Sequence, residues 1–194
     1  MFLLNDKMIV SQNSHGGLLQ ITNYNPKGLR PTCYYFHLGS KFRRWDSKNT
    51  KWQLFELAPG NEVLTLEPNE YVLVESAERI RCSSQVMAIF GQTSSLFRKG
   101  ISLKNSPAID PNFPSSGEAG YLELGLKNEL SHPARIKLGD QIGKIYFFNI
   151  SDTYPINSIE GTDSEEDWGR RTKNDGPLPS SESDPVGRGY VNQS

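Results

Sequence analysis

Two cysteines and three histidines are all that 194 residues hold of the side chains most often used for metal and thiol chemistry. Cys33 and Cys82 stand in contexts that read as strand edge or core, so they are expected to be small buried hydrophobes rather than a disulfide framework. A reducing, cytoplasmic setting follows as the default. His15, His37 and His132 are scattered, and neither cysteine lies near any of them. A zinc-dependent base deaminase needs a histidine or cysteine followed closely by Glu and then a Cys-x-x-Cys pair, which is missing, so no zinc is expected. Gly-Lys-Ser/Thr phosphate loops, Gly-x-Gly-x-x-Gly fingerprints and Gly-x-Ser-x-Gly elbows are also missing.

Long apolar runs and charge of one sign are equally scarce. The longest apolar stretches, such as Val86 to Phe90, are far too short to span a membrane. The opening MFLLNDKMIV carries an acid among its first six residues and no apolar h-region, so it does not read as a signal peptide. Net charge is −1 with acids and bases interspersed, which argues against a nucleic-acid partner. Hydrophobic residues at 36% and charged residues at 22% suit a soluble protein with some irregular chain, long enough for one domain but not two.

What is present is alternation. Short apolar or alternating runs cover Trp52 to Leu57, Glu62 to Leu66, Tyr71 to Glu75, Gln85 to Phe90, Gly120 to Leu126, Ala134 to Leu138 and Lys144 to Asn149. Turn signals separate them, among them Ala58-Pro59-Gly60-Asn61, Glu67-Pro68-Asn69, Asp110-Pro111-Asn112 and Leu138-Gly139-Asp140. Many short strands at such spacing predict an all-β sandwich, jelly roll or barrel. Helix is expected only over Leu4 to Val10, capped at Asn5, and over Thr93 to Lys99. Near Ser151 the composition turns Ser-, Asp-, Glu-, Gly- and Pro-rich. Residues 1–150 therefore read as one β domain, and 151–194 as a tail or a strap over another surface.

One segment is dense in chemistry: Gly91-Gln92-Thr93-Ser94-Ser95-Leu96-Phe97-Arg98-Lys99-Gly100. Hydroxyls and backbone N–H groups at the start of a turn, with two cations following, suit a phosphate. After it come Ala108-Ile109-Asp110-Pro111-Asn112-Phe113, then Gly120 to Asn128, then Leu138-Gly139-Asp140-Gln141-Ile142. In this order the set resembles the dCTP deaminase/dUTPase superfamily, with its Gly-Arg-Ser-Ser-Leu-x-Arg-x-Gly, Ile-Asp-Pro-Gly-Phe, strand-terminal Asn and Gly-Asp-x-Ile. Outside this core the likeness leans to the deaminase branch. Leu4 to Ile9 resembles its Leu-Ser-Asp-x-Asp-Ile, Thr32 to Gly39 stands in place of its Ala-Ser-Val-Asp-Leu-Arg-Leu-Gly, and Gly176 to Ser180 is similar to its Gly-Pro-Thr-Pro-Ser.

The resemblance implies a distorted β-barrel or jelly roll of the dUTPase-like type, forming a homotrimer with active sites between subunits. It implies a deoxypyrimidine nucleoside triphosphate as ligand, held by Ser94, Ser95 and Arg98 with magnesium bridging the phosphate oxygens. Asp110 would sit on the hairpin that takes the deoxyribose and base and, as in the dUTPase branch, activate the attacking water as a general base, a role worth roughly 10²–10⁴ in rate. In the deaminase-like alignment, Arg170 and Asn174 would replace a tail Lys and Gln that cover the nucleotide.

Several positions depart from the family pattern. The deaminase branch uses a strand glutamate three residues before the terminal Asn, and counting back from Asn128 that position is Gly125. Glu123 lies on the same strand face about 6.5–7 Å away, and a bulge at Gly125 would bring it into place. Thr93 replaces the motif's Arg, Gln92 its Gly and Tyr35 an Asp, while Pro114 to Glu118 lengthen the hairpin after Phe113. The expected activity is thus dCTP to dUTP, dUTP to dUMP plus pyrophosphate, or both. The alternatives are a catalytically impaired nucleotide-binding or protein-interaction member of the same fold and, more remotely, a structural β domain of a virus-like assembly.

Overall fold

Side-chain alternation, with a period of two, governs the chain, and the computed structural model describes residues 1–151 of it. In chain order the elements are β1 Phe2–Leu3, α1 Asp6–Gln12, β2 Leu19–Thr22, a 3-10 turn Pro26–Gly28, β3 Leu29–Arg30, β4 Cys33–Asp46, β5 Lys51–Glu56, β6 Val63–Leu66, β7 Tyr71–Cys82, β8 Val86–Gly91, α2 Ser94–Arg98, β9 Ile101–Lys104, β10 Ala108–Ile109, β11 Gly120–Asn128, β12 Ala134–Lys137 and β13 Gln141–Asn149. The all-β expectation holds, as does Asn5 as the cap of the first helix: its side chain accepts from the Met8 N–H. The calls on the tail, including Arg170 and Asn174, lie outside the described residues.

One long sheet runs β10-β8-β13-β4-β7-β11-β9 and curls into a half-barrel, with β1, β2, β3 and β5 paired along its flanks. β12 and β6, distant in sequence, pair as a separate two-stranded antiparallel sheet that shares the core. Inward positions of β7 (Val72, Val74, Ile80, Cys82), β11 (Leu122, Leu124, Leu126), β13 (Ile142, Ile145, Phe147) and β4 (Tyr34, Phe36, Leu38) form a single core with Leu64, Leu66 and Ile136. Each such side chain contributes about 1.5–3 kcal/mol on burial, which is why the pairing register is fixed.

Two polar residues hold this core in shape. Asn128, fully buried at the end of β11, donates through Nδ2 to the carbonyls of Leu66, Glu67 and His132 and accepts from the Leu130 N–H. Ser76 sits where the β7–β11 register shifts between Tyr121 and Glu123. Its hydroxyl accepts from Leu122 N–H at 2.9 Å and donates to Glu78 O at 2.6 Å, replacing the ladder bonds lost at the irregularity.

One strand extends beyond its alternating run, and another is marked by none. β7 continues from Glu75 to Cys82, and β4 continues through Lys41, Arg43 and Arg44 to Asp46. The charged half of β4 remains strand because Phe42 enters the core and its neighbours are partnered. Arg44 lies over the Phe42 ring at 5.4 Å, Trp45 packs on Trp52 of β5, and Phe42 stacks on Phe55.

Candidate functional site

The Thr93 side chain caps α2, accepting from the Leu96 N–H at 3.3 Å. Leu96 is the helix's single buried anchor, which turns Ser94, Ser95, Phe97 and Arg98 outward. Gln92, in the place of the motif's Gly, ties the helix to β9: its Nε2 donates to Ile101 O at 2.8 Å and its Oε1 accepts from Leu103 N–H. At the other end Gly100 has φ +68°, and a Cβ there would strike the Leu130 side chain, so only glycine fits. The three residues expected to hold phosphate, Ser94, Ser95 and Arg98, therefore share one short exposed segment. Arg98 makes no ion pair among the described residues, where seven are found elsewhere.

Asp110 follows β10 and is exposed on this chain, not buried as a general base between walls would be. Its turn is firmly held. Asn112 takes φ 65°, a left-handed value that Asn tolerates, in the place of the motif's Gly. The Asn112 N–H donates to Ser83 O at 3.0 Å, and Cys82 N–H donates to Phe113 O at 2.7 Å. Since Ile109 pairs with Ala88, Asp110 points along β8 away from α2.

Glu123 is half-buried on β11 and ion-paired with Arg43, which also lies 3.6 Å from Glu75. The irregularity beside it places its extra residues in β7, between Glu75 and Arg79, and Gly125 keeps regular pairing with Leu73 and Lys104. The expected bulge at Gly125 is therefore absent. A side chain at 125 would run into the Tyr71 ring, with Tyr71 Cε2 at 2.5 Å and the Lys104 carbonyl oxygen at 2.6 Å from its Cβ. The direction in which a glutamate would project is already filled.

A cleft of about 410 Å³ opens beside α2, between the 3-10 turn (Asn25, Lys27), β4 (His37), α2 (Ser95, Lys99) and the turn before β13 (Asp140). Ser95 belongs to it; Ser94, Arg98, Asp110 and Glu123 do not. Partial burial works against the Asp140 carboxylate, but the Lys99 ammonium at 2.7 Å and the Lys137 N–H at 3.1 Å outweigh it and hold the group below its ordinary range.

Behind the cleft lies a network that the motifs do not reveal. Glu78 is 1% exposed, and its carboxylate meets the Tyr34 hydroxyl at 3.0 Å, the His37 N–H at 2.9 Å and His37 Nδ1 at 2.5 Å. The Tyr34 hydroxyl in turn accepts from the Asn25 N–H at 2.9 Å, and burial raises the pKa of its phenol. His37 stands where the family motif has Arg. A signal for Glu78 was present in the sequence: it continues the inward positions Val72, Val74 and Ser76 of β7, where a carboxylate is out of place unless partnered.

Taken together, the curled antiparallel barrel, the Ser-Ser-x-x-Arg turn and the Asp110 hairpin define a dUTPase-like β domain. Residues 3–150 match the family model described as dCTP deaminase-like, and the chain belongs to that family. It is 29% identical over 193 residues to the dUMP-forming dCTP deaminase of Bifidobacterium longum (strain DJO10A), covering 92% of this chain and 93% of that protein. The protein of the same description from Clavibacter michiganensis is 30% identical over 162 residues, with 77% of each chain covered. The crystal structure of 2'-deoxycytidine 5'-triphosphate deaminase from Agrobacterium tumefaciens superimposes with a TM-score of 0.59 at 19% identity, over 75% of this chain and 47% of that one.

No described helix is long and apolar enough to cross a membrane.

Proposed function

We propose that this chain acts on deoxypyrimidine nucleoside triphosphates, and that its reaction is diphosphate release from dUTP, giving dUMP and pyrophosphate. The relatives named as dUMP-forming dCTP deaminases support the substrate class. The observation that carries the choice of reaction is the contact at Gly125, where Tyr71 and the Lys104 carbonyl occupy the space of the deaminase glutamate.

In this reading the substrate is the magnesium complex of the nucleotide. Among the described residues no three His, Cys, Asp or Glu side chains are grouped as a metal-binding set. Magnesium keeps several waters and prefers substrate phosphates to an all-protein cage, so hydroxyls such as Ser94 and Ser95 suit an ion that arrives with its ligand. Arg98 neutralises phosphate charge, and Asp110 takes a proton from the water that attacks phosphorus, with pyrophosphate leaving. The exposure of Asp110 on one chain fits a site completed by another copy, as a homotrimer would supply. A cytoplasmic setting accords with this chemistry.

Glu123 offers a second reading, as a proton shuttle for dCTP deamination, favoured by its position on the same strand face as residue 125. Its pairing with Arg43 weighs against that role. Purified protein incubated with dUTP or dCTP and magnesium is expected to yield dUMP and pyrophosphate from dUTP and no ammonia from dCTP. Ammonia from dCTP would establish the second reading. No product from either nucleotide would leave a non-catalytic member of the fold.

A further inference from the structure

β5 is an edge strand. Among the described strands it pairs with β4 alone, in an unbroken register from Lys41 opposite Glu56 to Asp46 opposite Lys51. The Leu57 N–H donates to Ser40 O at 2.8 Å, which sets the alternation. Residues 51, 53, 55 and 57 bond towards β4, so the N–H and C=O groups of Trp52, Leu54 and Glu56 point away from it. Exposed edges are commonly blunted by proline, a bulge or a central charge. β5 uses none of these. Its sequence Lys51-Trp52-Gln53-Leu54-Phe55-Glu56 keeps charge to the two ends, and Leu54 and Phe55 are 56% and 38% exposed.

Such an edge accepts another strand, and the order of its residues selects a copy of itself. Reversed about Gln53, the strand sets Leu54 opposite Trp52 twice on the outer face and Phe55 opposite the stem of Lys51 twice on the other face. Both aromatic rings are already held in place, Trp52 against Trp45 and Tyr71, and Phe55 stacked on Phe42. No charge meets a like charge. Centring the pair on Leu54 instead would set Glu56 against Trp52, and centring it on Trp52 would leave Phe55 against Asn49.

We infer that β5 pairs antiparallel with β5 of a second copy across a two-fold axis at Gln53, joining two sheets edge to edge. Trp52 and Leu54 form the hydrogen-bonded pairs, and Gln53 meets its own copy at the close, non-bonded position. Six residues a side make less than a standard interface, so the association is weak and concentration-dependent. The pairing is independent of the reaction proposed above. Where chains are already trimeric, it joins one trimer to another.

Sedimentation velocity of the full-length protein across a concentration series is expected to show the smallest assembly giving way to one of twice its mass. Leu54→Pro removes one outward N–H from each copy and leaves the bonds to β4 in place, since proline is tolerated on an edge. Association should weaken about tenfold or more, two bonds being lost across the axis. Leu54→Val, which keeps the N–H and an apolar side chain, should retain it.

Cysteine crosslinking reads the register directly. At the axis the two copies of residue 53 lie about 4.5 Å apart between Cα atoms, within reach of a disulfide, whereas the two copies of residue 54 lie about 9 Å apart and out of reach. Gln53→Cys should therefore give crosslinked chain pairs under mild oxidation and Leu54→Cys should not, with Cys33 and Cys82 buried and silent. A single species at every concentration overturns the pairing. So does doubling that a folded Leu54→Pro leaves undiminished, or crosslinking by Leu54→Cys in place of Gln53→Cys. Should Leu54→Pro lose its fold by circular dichroism, the two cysteine variants decide.

Discussion

His37 Nδ1 lies 2.5 Å from Glu78 Oε1, and the same oxygen accepts from the Tyr34 hydroxyl at 3.0 Å. Truncating Glu78 to Ala strands the His37 N–H, the His37 ring and the Tyr34 hydroxyl in a dry core. The expected loss is about 3–5 kcal/mol in urea unfolding, against about 1–3 kcal/mol for Glu78→Gln, which keeps one acceptor. Equal losses in the two variants would show that packing, not hydrogen bonding, is Glu78's contribution.

At Gly125 even one methyl group is too many. Gly125→Ala should lower stability by about 1–3 kcal/mol in thermal unfolding, the usual cost of overpacking. In a Tyr71→Ala background the ring collision is gone while the Lys104 carbonyl contact remains, so Gly125→Ala should cost less there than in the parent but still destabilise.

Asn128→Ala removes at once the three contacts that Nδ2 donates to carbonyls and the acceptor on Leu130 N–H. With the side chain fully buried, destabilisation of about 2–4 kcal/mol is expected from denaturant midpoints. Asn128→Asp should be no better, because a carboxylate has no N–H for the Leu66, Glu67 and His132 carbonyls.

Cys82 gives the fold an alkaline limit. Burial pushes its thiol up to about 12 from an ordinary 9.0. The folded state thus keeps a proton that the unfolded chain releases. The contribution is intact below pH 9.0 and is lost as pH rises from there towards about 12, by at most about 1.4 kcal/mol per pH unit. Urea midpoints measured across that range should fall more steeply in the parent than in Cys82→Ala.

Glu123→Gln tests whether the strand carboxylate is structural or chemical. Loss of the half-exposed pairing with Arg43 should cost no more than about 1 kcal/mol. On the diphosphate-release reading, dUMP formation from dUTP persists in the variant, while Asp110→Asn abolishes it. A collapse of the dUTP rate in Glu123→Gln with stability intact would transfer the chemistry to Glu123.

The sequence made the barrel legible wherever one strand face is buried, because alternation records burial directly. It failed along β4, which no alternating run marks: in its second half Lys41, Arg43 and Arg44 mask a strand held by the buried Phe42 and by cross-strand aromatic pairs. The short α2 could be read because its cap, Thr93, and its anchor, Leu96, are local. The dyad of His37 and Glu78 could not, since its partners are 41 residues apart and meet only through the β4–β7 pairing. Nor does spacing along β11 reveal that Tyr71, on the neighbouring strand, covers residue 125.

That cover has a historical consequence. A glutamate arriving at position 125 would meet an occupied space, so the family's strand carboxylate cannot be regained in one step. The Tyr71 ring must first be given up, and with it packing against Trp52 at 6.1 Å between ring centroids, and the Lys104 carbonyl must shift as well. Each change alone is a loss, so the divergence at this position acts as a ratchet.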